Sequence, residues 1–106
     1  MKLKEYFKYL DKFENERLRL KIKTDRGKVV DLVVQYETKF GDDWKAVVRY
    51  DCAHGFFHRD LIFPDGEKEK KALAIADLES GLRYAEQDIK DRWEYYKERY
   101  IKLLKK

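Results

Sequence analysis

The sequence predicts an α+β domain: a four- to five-stranded antiparallel meander, with a short N-terminal helix and a long C-terminal helix packed on one face. Three observations carry that expectation. Arg17-Leu18-Arg19-Leu20-Lys21-Ile22-Lys23-Thr24 alternates strictly between charged or polar and apolar residues, the period of a strand with one wet face. Turn-forming clusters at 25–28, 41–43 and 64–67 divide the middle of the chain into runs of strand length. From Leu78 to Leu103 the apolar residues step by threes and fours, the period of an amphipathic helix.

A chain of 106 residues fits one domain spanning 1–106, with a single modest core. Hydrophobic and charged residues each make up 43%, so the chain can fold but its surface must be almost wholly charged. A net charge of +4 permits contact with nucleic acid without demanding it, because acidic and basic residues are interleaved. The lone cysteine excludes an internal disulfide and a cysteine-based zinc site, and fits reduced, cytoplasmic surroundings. No apolar run approaches the roughly 20 residues that span a bilayer, and no signal-peptide core opens the chain, so no membrane partner is expected.

Taken in order, Leu3, Tyr6, Phe7, Leu10 and Phe13 lie at helical spacing among lysines, which predicts the short first helix over 2–16. The alternating strand 17–24 follows, then a turn at Asp25-Arg26-Gly27-Lys28, with Gly27 suited to a positive φ. Further strands are expected over 29–40, 44–51 and 56–63, with a short edge strand over 67–72. Pairing Leu18 with Val34, Leu20 with Leu32 and Ile22 with Val30 gathers these six on one apolar face. A three-residue loop at 41–43 sets Tyr36 opposite Val48 and Val34 opposite Tyr50, which adds Trp44, Ala46, Val48 and Tyr50 to that face. A helix over 76–104 would be about 43 Å long, against about 23 Å for a seven-residue strand. The helix should therefore outrun its sheet and offer its aromatic end to the first helix, another subunit or another molecule. Oriented pairs such as Glu86/Lys90 and Asp88/Arg92 support the helix.

The segment Arg49 to Asp60 holds both histidines and the only cysteine, with two aspartates and two arginines. If Asp51 pairs with Phe56, then Arg49 faces His58 and Asp60 follows on the wet side. A single-residue bulge at Gly55 would turn His58 and Asp60 inward instead. Cleavage of RNA at a 2′-hydroxyl needs a base, an acid and a cation at the phosphate. His54 and His58 can fill the first two roles, Arg49 or Arg59 the third, with Asp51 or Asp60 fixing a histidine tautomer. Arg17, Arg19, Lys21 and Lys23, with Arg59, are the candidate nucleic-acid contacts. A basic alternating strand is more often a plain solvated face, and a histidine beside a turn more often structural.

Other chemistries fit less well. Two histidines and two aspartates suit a transition metal, but the spacing of Asp51, His54, His58 and Asp60 matches no zinc motif, so no metal is expected. Cys52-x-His54 matches no signature of a cysteine nucleophile. No Gly-rich phosphate loop or dinucleotide fingerprint occurs, so no cofactor is expected.

Val48-Arg49-Tyr50-Asp51, Ala53-His54-Gly55, His58-Arg59-Asp60 and Pro64-Asp65-Gly66 resemble the central signature of a family of short, uncharacterised bacterial and archaeal proteins. Gln35-Tyr36-Glu37 before it, and Ala85, Asp88-Ile89-Lys90, Trp93 and Tyr96 after it, extend the resemblance over most of the chain. That family implies no activity. The outline Arg49-Tyr50-Asp51, His54 and Pro64 is also similar to TumE-type toxins of toxin–antitoxin pairs, which implies an RNA target. The histidine-rich segment that follows the proline in those toxins is replaced here by Asp65-Gly66-Glu67. Two functions are thus expected to compete. One is an RNA-directed protein, such as a metal-independent ribonuclease, using the polar sheet face and the hairpin. The other is a non-enzymatic binding module in which the hairpin motif is structural and the C-terminal helix forms an oligomer or partner interface.

Overall fold

The computed structural model describes residues 1–105, with the side chain of His54 outside the described set. Its elements are β1 (Lys2–Tyr9), β2 (Glu16–Asp25), β3 (Lys28–Phe40), β4 (Asp43–Asp51), a single 3-10 turn (Ala53–Gly55), β5 (His58–Ile62), β6 (Lys68–Ala72) and α1 (Leu78–Leu104). The strands form one sheet in chain order, each antiparallel to its neighbour. The meander and the long helix are as expected, but the sheet has six strands and the N-terminal helix is absent.

The first segment is a strand because its residues fit both periods. Leu3, Phe7 and Tyr9 recur at even spacing as well as sharing a helical stripe with Tyr6 and Leu10. A lone helix there would satisfy only itself, whereas a strand closes the outer edge of β2 over eight paired residues, from Lys2↔Thr24 to Tyr9↔Arg17. Lysines at 2, 4 and 8 on β1, and at 68, 70 and 71 on β6, then line the two edges of the sheet and discourage further pairing.

Two bulges set the register. Arg26 (φ 52°) and Gly27 (φ 79°) form the two-residue turn that a tight hairpin demands. The ladder then slips between Lys23 and Thr24, so that Val30 drops out of pairing and is 44% exposed. Leu18 consequently pairs with Tyr36, Leu20 with Val34 and Ile22 with Leu32, two residues from the expected partners. Tyr36↔Val48 and Val34↔Tyr50 pair as expected. A second slip, between Tyr36 and Glu37, makes Val47 the extra residue. Val47 and Val48 are both buried, while Trp44 and Ala46 swing to the opposite face, away from the core they were expected to join.

The core lies between the sheet and α1, built from Leu18, Leu20, Leu32, Val34, Tyr36 and Tyr50 with Ala85, Ile89 and Tyr96 of the helix. The Asp77 carboxylate caps the helix by accepting the Ser80 N–H at 2.8 Å, satisfying one of its free donors. Gly81 allows close approach: a Cβ there would lie 3.0 Å from Ile75 Cδ1 and 3.2 Å from Phe57 Cε1. The helix does not outrun its sheet. It spans about 40 Å, and the 13-residue β3 spans about 43 Å. The aromatic end of α1 rests on the end of β3, where Tyr100 stacks on Phe40 with centroids 6.0 Å apart. The length argument for an intersubunit contact therefore falls away. Among the described residues no helix is long and apolar enough to cross a membrane.

Candidate functional site

The face of the sheet away from α1 carries Leu3, Phe7 and Tyr9 from β1, and Arg17, Arg19, Lys21 and Lys23 from β2. Gln35 and Glu37 follow from β3, Arg49 and Asp51 from β4, and His58 and Asp60 from β5. Arg17 is built into this face: its guanidinium lies 3.8 Å from the Trp44 ring and 4.1 Å from that of Phe7. Its Nε donates to Glu37 Oε1 at 2.7 Å, and Gln35 donates to the other Glu37 oxygen at 2.7 Å. Arg19 and Lys23 have no ion-pair partner among the described residues. Lys21 meets Glu5 at 3.7 Å with both side chains half exposed, a contact that contributes little in water. A cleft of about 320 Å³ opens here, lined among others by Leu3, Lys21, Lys23, Val33, Arg49 and Asp51.

Beside the cleft the hairpin residues converge. Asp51 pairs with His58 and Arg49 with Asp60 across the two strands. The actual register is two residues from the Asp51–Phe56 pairing expected, and since two is a full strand period every side chain keeps its expected face. Arg49 Nε donates to Asp51 Oδ2 at 2.7 Å and Nη1 to Gln35 Oε1 at 3.3 Å. The Ala53 N–H donates to Asp51 Oδ1 at 3.1 Å. His58 Nε2 lies 2.8 Å from Asp51 Oδ1 and 3.6 Å from Asp60 Oδ2, and its Nδ1 lies 3.3 Å from the Phe56 carbonyl. Burial by itself would push the Asp51 carboxyl up, but Arg49, the Ala53 N–H and His58 together hold it below the usual carboxylate range.

This cluster is enclosed. His58 is 1% exposed and Asp60 3%, and the Phe56 ring lies 5.2 Å from the imidazole. An acid or base must reach the proton it moves, and the His58 imidazole does not face open solvent. The Asp51→Ala variant should lose about 2 kcal/mol of stability, because Arg49, His58 and the Ala53 N–H lose their shared acceptor. A lower urea midpoint at unchanged slope would register that loss.

Of the other candidates, the His54 side chain lies outside the described set. Arg59 lies on the helix side, opposite Tyr50 in the ladder, with Nη1 3.5 Å from the Tyr96 hydroxyl, so it does not join Arg17, Arg19, Lys21 and Lys23. The Cys52 thiol donates to Asp31 Oδ1 at 3.0 Å. Burial and that carboxylate push the thiol up to about 11, the reverse of what a nucleophile needs. The residues that sequence reasoning missed on this face are Leu3, Phe7, Tyr9 and Trp44. The even spacing of the first three was a usable signal, and nothing in the sequence marks the bulge that turns Trp44 outward.

Comparison with curated proteins finds no match, and neither does comparison with solved structures. One family model, described as a domain of unknown function (DUF7718), matches residues 1–106. The match spans the β1 strand, the hairpin cluster and the helix alike, and the chain belongs to that family.

Proposed function

We propose that this domain binds single-stranded RNA on the open face of its sheet and holds it without cleaving it. The observation that carries this reading is the row Arg19, Lys21 and Lys23, on a face that none of the described elements covers, beside Phe7 and Tyr9 at 48% exposure each. Cations at alternate strand positions stand about 6.8 Å apart and suit successive phosphates, while exposed rings offer sequence-tolerant stacking to bases. The cleft between Lys21, Lys23 and Arg49 suits one phosphate and its sugar. The toxin-like outline of Arg49, Tyr50 and Asp51 favours an RNA target but not cleavage. Arg49 and Asp51 are bonded to each other, and with His58 they serve to lock the hairpin.

Titration of a fluorescent RNA dodecamer at several salt concentrations tests the reading. Three phosphate contacts predict a slope of about −2 in log affinity against log salt. Lys21→Glu combined with Lys23→Glu should abolish binding at moderate salt, and Phe7→Ala should weaken it about tenfold, with the RNA intact throughout. Absence of binding even at low salt sinks the proposal. The second reading, a protein partner or second copy on the C-terminal helix, has the outward Tyr95 (56% exposed) and Leu104 (49%) in its favour. Mass growing with concentration in light scattering of the same samples would favour it.

A further inference from the structure

We infer that Asp51, His58 and Asp60 form a site for one divalent transition-metal ion of the zinc or manganese kind. One donor atom from each residue lies within 4.8 Å of the other two. An ion with bonds of 2.0–2.2 Å sets its ligands about 3.0–3.4 Å apart at octahedral to tetrahedral angles. The Asp51–His58 and His58–Asp60 separations of 2.8 and 3.6 Å bracket that range.

Three features point to a cation beyond mere proximity. Asp60 is 3% exposed, yet its Oδ1 has no hydrogen-bond partner among the described residues. Its Oδ2 stands 3.6 Å from His58 Nε2, too far for a hydrogen bond, so the imidazole does not satisfy this carboxylate. With His58 Nδ1 donating to the Phe56 carbonyl at 3.3 Å, the proton that Nε2 shares with Asp51 Oδ1 at 2.8 Å is the one an incoming ion displaces, since metal binding at a histidine releases a proton. Metal-binding histidines are held in this way by a backbone carbonyl. Finally, Arg49 holds Asp51 Oδ2, and Oδ1, which accepts the Ala53 N–H at 3.1 Å, keeps a second lone pair for the ion. Two carboxylate oxygens and one imidazole nitrogen favour zinc, manganese or iron over calcium or magnesium, which prefer oxygen alone. Asp51 lines the 320 Å³ cleft, which supplies the path of entry.

The inference is independent of RNA binding. Chelator-treated full chain, titrated with zinc chloride by calorimetry and thermal melting, should take up one ion with a rise in Tm. Asp60→Asn, checked for fold by circular dichroism, should bind at least about tenfold more weakly. Nitrogen-resolved NMR of the histidine rings should show the His58 Nε2 resonance move on zinc addition while Nδ1 keeps its proton. No heat, no Tm change and no ring shift in the folded wild type overturns the site. So does zinc binding that folded Asp51→Asn and Asp60→Asn both retain in full. Should Asp60→Asn fail to fold, the His58 ring shift in the wild type decides alone.

Discussion

Raising the pH above 10 is expected to strip the fold of about 4 kcal/mol per pH unit, more steeply than the lysines alone would produce. Tyr36, Tyr50 and Tyr96 are at most 2% exposed. Tyr36 donates its hydroxyl to Glu16 Oε1 at 2.7 Å. Tyr50 and Tyr96 both donate to Asp88 Oδ2, at 2.7 and 2.5 Å. Burial first, and then the neighbouring carboxylate, raises each phenol above its ordinary value of 10.0, Tyr96 up to about 12 and the other two further. Above pH 10 the unfolded chain releases protons that the folded chain retains, so the stability from these groups is complete below 10 and is lost as the pH climbs toward the folded values. One retained proton is worth about 1.4 kcal/mol per pH unit, three about 4. A domain of this size has roughly 5–15 kcal/mol in all, so alkaline unfolding should arrive within about one to four units. The exposed tyrosines ionise first, and the tyrosinate absorbance of Tyr36, Tyr50 and Tyr96 should appear together with loss of helix signal. Ionisation of all eight phenols near pH 10 in a protein that stays helical would refute the argument. Each Tyr→Phe change should lower the slope by about 1.4 kcal/mol per pH unit.

The largest loss from a single substitution is expected at Asp88. This carboxylate, 7% exposed at its side chain, is where α1 is tied to the sheet: Oδ2 accepts from Tyr50 of β4 and from Tyr96 one helical face along. Arg92 meets Oδ1 at 3.4 Å but is half exposed and adds little. Asp88→Ala leaves two buried phenol donors without an acceptor, at about 1–3 kcal/mol each, so about 4 kcal/mol is expected. For a domain near 100 residues that lowers Tm by about 20 °C. Asp88→Asn retains an acceptor oxygen and should lose about half as much. A change of only a few degrees in the alanine variant would show that the tyrosines find other partners. The Glu16 carboxylate plays the matching role at the far end, accepting from Tyr36 and from Lys97 at 2.6 Å.

Sequence alone determined the class of fold, the central strands and the long helix, because each depends on a local period that one segment carries by itself. It also placed Arg49, Asp51, His58 and Asp60 together on the face away from the core. That result survived an error of two residues in register because side chains repeat every second residue along a strand. Tertiary structure decided what local periods leave degenerate. Residues 2–9 fit a helix as well as a strand, and the open edge of β2 chose the strand. Val30, Trp44 and Ala46 left the core because two bulges each shifted the ladder by one residue, and a bulge has no signature that the flanking residues must carry. Likewise His58 reads as a free histidine in a polar hairpin. Only the pairing of β4 with β5 reveals it enclosed between Asp51 and Asp60, because burial and a donor set shared across strands belong to the pairing of segments and to no single segment.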